Sequence, residues 1–228
     1  MKKLCIFLAA VGFFCGCQKK ETSFQYNVDK FYDLEILRYD VPEFESLTLQ
    51  QKQLVYCLSE AALWGRDILF DQNGLYNIGI RNVLEDVYTS TKVDRKSNEF
   101  LAMETYLKRV WFSNGIHHHY GCEKFVPGFT EPWFRKQVAS ANVRVSAKEL
   151  DDICKAIFKG DYLTKRVNLA EGVDLIKTSA CNYYQGVTQD EAEEFYAKQK
   201  AEGDAQHPVM YGMNSTLVKK NGKIFEDK

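Results

Sequence analysis

Three of the four histidines stand in a row, and they are the residues whose types most suggest chemistry. His117, His118 and His119 lie in the stretch WFSNGIHHHYGCEKFVPGF, residues 111–129, and Cys122 follows three residues later. Zinc prefers imidazole and thiolate ligands, and it needs three or four of them converging on one point about 2 Å away. Consecutive side chains diverge, so that His117 and His119 share a face of an extended segment while His118 points away. A site made of His117, His119 and Cys122 is one hypothesis. A loop whose imidazoles only form hydrogen bonds is the other.

The rest of the sequence carries no established metal or nucleophile motif. It contains no HExxH, no HxxxH, no paired CxxC, no GxSxG, no P-loop and no GxGxxG. The acidic pairs at 151–152 and 193–194 lie near the starts of predicted helices, where carboxylates interact favourably with the helix dipole. Residue types and spacing alone therefore do not predict a reaction.

The totals describe a globular chain without a strong charge. It has 228 residues, of which 45% are hydrophobic, which suits one domain or two small ones with a real core. The net charge is −1, and acidic and basic residues are interspersed. The sequence has no cluster of basic residues of the kind that would predict a nucleic-acid partner.

The first residues predict export. Lys2 and Lys3 precede an apolar run at 4–14, and Cys17 follows a small residue at its end. This pattern is typical of a lipoprotein signal, so we expect a signal peptide at 1–17 with Cys17 as the lipidated residue, then a polar spacer at 18–30. An ordinary secretory signal is the alternative. Lipid on Cys17 would attach the protein to a membrane, as a periplasmic or cell-envelope lipoprotein anchored at the outer membrane.

Hydrophobic periodicity predicts a mainly helical domain. A strand at 34–41 precedes a helix that begins after Thr48 and ends at the DQNG of 71–74. Two more amphipathic helices follow, and the three should pack as a bundle in which each helix buries its apolar stripe. The stripes consist of Leu54, Val55, Leu58, Ala61, Ala62 and Leu69, then of Ile80, Val83, Leu84, Val87 and Tyr88, and then of Phe100, Met103, Leu107, Val110 and Trp111.

Local signals complete the predicted fold. Ser113-Asn114-Gly115 predicts the end of the third helix, Thr130 predicts the cap of the next helix, and SAKE (146–149) and TQDE (188–191) predict capping boxes. Asn221-Gly222 between two short apolar runs predicts a two-residue β-hairpin. The fold class is thus α+β and mainly helical, a helix bundle plus a small antiparallel β portion.

Four cysteines lie beyond the signal region: Cys57, Cys122, Cys154 and Cys181. Cys57 and Cys154 fall on the apolar faces of predicted helices, where a free thiol behaves as a small hydrophobic group. We expect all four to be reduced. If they did pair, three connectivities would exist.

Four stretches together resemble a known family. They are LVYCLSEAALWGRDILFDQN (54–73), YLKRVWFSNGIHHHYGCEKFVPGF (106–129), RVNLAEGVDLIKTSACNYY (166–184) and PVMYGMNSTLVKKNGK (208–223). They look like the amino-terminal part of bacterial dipeptidyl peptidase III, especially its Bacteroides-type members. The resemblance runs from about Phe31 to the end, and it implies that 31–228 is a partial lower-lobe domain without the zinc-bearing lobe.

The resemblance implies a zinc exopeptidase that removes dipeptides from peptide amino-termini. Members of this family have two lobes around a cleft. The peptide substrate adds as a strand to the lower lobe, and the upper lobe carries the zinc. The family's zinc motif is HExxGH with a further glutamate downstream, and this sequence contains neither. No catalytic or metal-binding residue can therefore be carried over, and no cofactor is expected in this chain.

The resemblance also places the SNG…KFVP segment in the lower lobe, away from zinc. It marks Ser113, Asn114, His117, His119 and Tyr120 as candidates for lining the cleft. The leading hypothesis is an amino-terminal fragment of a zinc dipeptidyl peptidase, inactive by itself. The alternatives are a stand-alone lipoprotein that binds peptides without catalysis, and a small metalloenzyme that uses His117, His119 and Cys122.

Overall fold

The computed structural model describes residues 24–203, 206 and 215–227. The predicted signal peptide at 1–17, the predicted lipidation site Cys17 and the first part of the spacer lie outside the described residues. The chain divides into two compact units, Met1–Glu45 and Ser46–Lys228. In the described ranges, every helix is too short or too polar to cross a bilayer.

The described part of the first unit is a β-hairpin followed by a short helical turn. Strand β1 (Asn27–Phe31) pairs antiparallel with β2 (Leu34–Leu37). A 3-10 helix then spans Pro42–Ser46. The predicted strand at 34–41 thus ends early, and residues 27–30 of the predicted spacer lie in its partner strand.

The described part of the second unit is mainly helical with a small sheet, which confirms the predicted α+β class. Its helices are α1 (Leu49–Trp64), α2 (Arg66–Asn73), α3 (Asn77–Thr89), α4 (Asn98–Ser113), α5 (Glu131–Ala141), α6 (Ala147–Phe158), α7 (Leu175–Thr178) and α8 (Gln189–Glu202). Its strands are β3 (Tyr184–Gln185), β4 (Thr216–Lys220) and β5 (Lys223–Asp227).

The main hydrophobic core lies between α3, α4, α5 and α6. The predicted stripes of α3 and α4 are confirmed, because all their members are buried except Tyr88 and Trp111, which are partly buried. The indole N–H of Trp111 is hydrogen-bonded, because Nε1 donates to Glu85 Oε1 at 2.7 Å. Phe129 joins the loop after α4 to this core through ring contacts with Tyr106 and Phe134.

Helix α1 departs from the prediction. Thr48 caps it with the capping box that its position predicts, in partnership with Gln51. The helix ends at Trp64 and α2 begins after Gly65, whereas the sequence predicted one helix up to the DQNG of 71–74, where α2 does end. The predicted burial of its stripe is wrong: Leu54, Val55, Leu58, Ala61, Ala62 and Leu69 are all exposed. The spacing of apolar residues shows which ones share a face, but it does not show what covers that face.

The capping and hairpin signals specify local structure correctly, except that SAKE forms only half of its predicted capping box. Thr188 forms a full capping box with Glu191 at the start of α8. Ser146 caps α6 by accepting from the Glu149 N–H, without the return bond of a full box. At the β4–β5 turn, Asn221 and Gly222 have φ of 53° and 75°. The hairpin gains a third strand because β3 pairs parallel with β4, and Leu217 of β4 is completely buried.

Candidate functional site

The candidate site is the loop after α4, and Asn77 fixes where that loop begins. Helix α4 ends at Ser113, and its C-cap residue Asn114 turns the chain with a left-handed φ of 50°. Gly115 follows with φ of 148°, and a Cβ atom there would lie 2.4 Å from Asn77 Nδ2. The buried Asn77 side chain donates to the Phe70 carbonyl at 3.2 Å and accepts from the Ile116 N–H at 3.4 Å. Asn77 therefore joins α2, α3 and the loop, and glycine is required where the loop passes it.

His117 is an interior residue. It is only 2% exposed, and its Nε2 donates to the Leu163 carbonyl at 2.7 Å. Burial, helped by the nearby positive charges of Lys124 and Arg166, lowers the pKa of His117 to about 4, although the hydrogen bond to Leu163 opposes the shift. His117 is neutral at pH 7, and the nitrogen that meets Leu163 carries its proton.

The next two histidines face other partners. His118 Nδ1 accepts from the Tyr120 N–H at 3.2 Å and from the Gly121 N–H at 3.1 Å. The His119 ring stacks on His118 with 4.5 Å between centroids and meets the edge of Phe112 at 5.0 Å. Across the part of the chain that the structure describes, no three His, Cys, Asp or Glu side chains are grouped to hold a metal ion. His117, His119 and Cys122 are thus not grouped around one point in the described residues.

Arg166 connects the histidine loop to two other segments. Its Nη2 donates to the His119 carbonyl at 3.0 Å, its Nη1 lies 3.5 Å from Asn73 Oδ1, and its backbone N–H donates to the Cys122 carbonyl at 2.9 Å. Asn73 Nδ2 in turn donates to the Asn114 carbonyl at 3.1 Å. We call these five residues the Arg166 junction. Nothing in the local sequence around Arg166 or Asn73 marks these pairings.

Lys124 holds the far side of the loop against the end of α6. Its ammonium donates to the carbonyls of Ala156 at 3.2 Å, Lys159 at 2.5 Å and Tyr162 at 2.6 Å. Burial lowers the pKa of Lys124. A cation at the carboxyl end of a helix also meets the negative end of the helix dipole. Lys124 thus stabilises the fold of the loop.

None of the four described cysteines is in a disulfide. Cys154 is buried as predicted, and burial raises the pKa of its thiol to about 11. Burial also raises the pKa of Cys181, beside Arg166. Cys57 is exposed, so the prediction that it lies on a buried apolar face is wrong.

An open cleft lies elsewhere in the second unit. It has a volume of about 530 Å³ and lies between α2, the segment before β3, and the β4–β5 hairpin. The carboxylates of Asp67, Asp71 and Asp227 line it, together with Asn182 and Tyr183. Asp67 pairs with Arg81 at 2.6 Å and Asp71 accepts from Asn182 at 3.3 Å. The lining is acidic and suits a cationic group.

The predicted cleft-lining residues occupy different surroundings. Ser113 and His117 are buried, Asn114 and His119 are half-buried, and Tyr120 is 84% exposed. The 530 Å³ cleft has other residues in its lining. The structure brings Asn114 and His119 together at the Arg166 junction, through their carbonyl oxygens.

Comparison with known proteins leaves the chain without an assigned family: no protein-family model matches it, and no curated protein is significantly similar to it.

Proposed function

We propose that this chain is the amino-terminal part of the lower lobe of a zinc-dependent dipeptidyl peptidase of the dipeptidyl peptidase III type, without peptidase activity of its own. The four resembling stretches motivate the proposal. One structural observation supports it, namely the Arg166 junction.

The junction joins three of the resembling stretches. Asn73 ends the stretch 54–73, Asn114 and His119 belong to 106–129, and Arg166 begins 166–184. A second link lies beside it, because the Asn182 N–H donates to the Gln72 carbonyl at 3.0 Å. The three stretches therefore bond to one another, as parts of a single lobe would, and this supports the proposal.

The role that the proposal gives these residues is to position other groups. His117, Lys124 and Arg166 use their polar atoms on backbone carbonyls, which holds the loop in one conformation. The described His, Cys, Asp and Glu side chains form no group of three that could hold a metal ion, and the sequence has no HExxGH. The catalytic groups would belong to a part of the protein that this sequence does not include.

A test of the proposal has two arms. The coding DNA should continue in frame past Lys228 and encode HExxGH. The purified chain should release no dipeptide from a dipeptidyl-arylamide, with or without added zinc. Chelator-sensitive release by the chain in isolation would refute the proposal, and so would an unrelated downstream sequence.

A second candidate function is peptide binding without catalysis, and the 530 Å³ cleft favours it. Its carboxylates would attract the ammonium group of a peptide amino-terminus. The purified chain should then bind a free tripeptide with micromolar affinity and bind the N-acetylated tripeptide much more weakly. Asp71→Asn should reduce the affinity, and Asp86→Asn, on the exposed side of α3, should not. Equal affinity for both peptides would eliminate this candidate.

A further inference from the structure

Two of the four described cysteines bond to the backbone of Arg166. The Arg166 N–H donates to the Cys122 carbonyl at 2.9 Å, and the Arg166 carbonyl accepts from the Cys181 N–H at 3.2 Å. The residues beside the first of these bonds, Glu123 and Lys165, form an antiparallel bridge. Both thiols are half-buried and neither is in a disulfide. We call Cys122 and Cys181 the thiol pair.

The backbone bonds bring the two cysteines to the same end of this short ladder. In a regular antiparallel ladder, Cys122 and Arg166 would exchange two backbone bonds. Only one of them forms, because Cys122 has a left-handed φ of 63° and its N–H donates to the His118 carbonyl at 3.0 Å. The Cys181 N–H donates to the Arg166 carbonyl instead. Cys181 thus takes the position that the Cys122 N–H would hold in a regular ladder, and the two cysteines are neighbours.

The surroundings give the two thiols different chemical roles. The Arg166 guanidinium Nη2 lies 3.6 Å from the Cys122 sulfur. Burial raises the pKa of the Cys181 thiol, Arg166 opposes that shift, and the nearby Cys122 thiol adds to it. A cysteine attacks as the thiolate, and a neighbouring cation assists that attack. Cys122 therefore suits the role of the attacking thiol, and Cys181 suits that of the resolving thiol.

We propose that the thiol pair is a redox site, at which a peroxide joins Cys122 to Cys181 in an intramolecular disulfide. The Cys122 sulfur attacks one peroxide oxygen and the O–O bond breaks, which gives a sulfenic acid. The departing hydroxide takes the proton of the Cys122 thiol and leaves as water. The Cys181 sulfur then attacks the sulfenic sulfur, the S–S bond forms, and the sulfenic hydroxyl leaves as a second water with the Cys181 proton. Two thiols are oxidised and one hydrogen peroxide is reduced.

The disulfide would connect the histidine loop to the wall of the acidic cleft. Cys122 lies at the end of the histidine loop, and Cys181 directly precedes Asn182 and Tyr183, which line the 530 Å³ cleft. Oxidation would therefore restrict the movement of this wall. The predicted export of the chain would take it to a compartment in which disulfides persist. The inference does not depend on the proposed function, since it concerns only bonds within this chain.

Peptide mapping of the oxidised protein tests the proposal directly. The purified chain is treated with equimolar hydrogen peroxide, blocked with N-ethylmaleimide and digested without reduction. Mass spectrometry should find a peptide that joins Cys122 to Cys181. It should form at least about 10-fold faster in the native chain than in urea, because folding raises the effective concentration of the two thiols. Oxidation should also raise the Tm by more than about 5 °C, since the bond closes a loop of roughly 60 residues.

Single-cysteine variants show which thiols are responsible. Cys122→Ser and Cys181→Ser should each abolish the linked peptide and the rise in Tm. Cys57→Ser is the matched control, because Cys57 is exposed on α1, and it should leave both unchanged. The linked peptide is measured in the native chain, so the result does not depend on whether a variant folds. Oxidation of the pair to separate sulfinic acids, or equal rates of linkage with and without urea, would overturn the inference.

Discussion

Acidification should destabilise the second unit through His117. The ring is almost completely buried and bonded to the Leu163 carbonyl, and its pKa is lowered from 6.5 to about 4. The unfolded chain therefore binds a proton at this residue below pH ~6.5, whereas the folded chain does so only near pH ~4. The stability that neutral His117 contributes is fully present above the pKa of the unfolded chain. It is lost as the pH falls towards the pKa of the folded chain.

The size of the effect follows from the two pKa values. At pH 4.5 the unfolded state gains about 2–3 kcal/mol from protonation of this residue that the folded state does not gain. That is a large fraction of the 5–15 kcal/mol by which a typical domain is stable. His117→Gln is the informative variant, because its amide can still donate to the Leu163 carbonyl but does not titrate.

The assay is urea unfolding at pH 7.5, 5.5 and 4.5, followed by circular dichroism. Between pH 7.5 and pH 4.5 the native chain should lose about 2–3 kcal/mol more than His117→Gln, since the other titrating groups are common to both. A difference below about 0.5 kcal/mol would refute the reasoning. An NMR titration of the native chain measures the pKa of the His117 ring without any variant. A pKa above 6 would also refute the reasoning.

Two further predictions concern groups that hold the site in place, and a third concerns the cap of α8. Asn77→Ala leaves a buried carbonyl and a buried N–H without their partner, and the free energy of unfolding in urea should fall by about 1–3 kcal/mol. An unchanged urea midpoint would argue against this role. Lys124→Met removes the ammonium bonded to three carbonyls at the end of α6 and should lower the urea midpoint clearly, whereas Lys148→Met, at an exposed ion pair, should not. Equal shifts in the two variants would contradict that. Thr188→Ala removes the capping box of α8 and should cost about 1 kcal/mol, or roughly 2–4 °C in Tm, by differential scanning calorimetry. A Tm that stays the same would show that the cap contributes nothing.

Much of the secondary structure could be predicted because its determinants lie within a few residues of one another. Thr48 and Thr188 cap their helices by bonding to N–H groups three residues away. Asn221 and Gly222 supply the positive φ angles that a two-residue hairpin needs. The stripes of α3 and α4 were also predicted correctly, because both helices lie against neighbours encoded close by.

The candidate site could be predicted only in part. Ser113-Asn114-Gly115 predicted where α4 ends, and the histidines marked the loop that follows. The resemblance to dipeptidyl peptidase III stays a prediction, as do the lipid anchor and the role of Ser113, Asn114, His117, His119 and Tyr120 at a cleft.

Tertiary structure alone decided which groups meet. His117 bonds to a carbonyl 46 residues away, and Arg166 lies beside an asparagine 93 residues away. No local pattern encodes such a pair, because each partner is chosen by the packing of whole helices. The same limit applies to α1, whose sequence determines that it is an apolar helix. Whether that apolar surface is covered depends on what lies next to it in space, and only the folded structure shows that it is exposed in this chain.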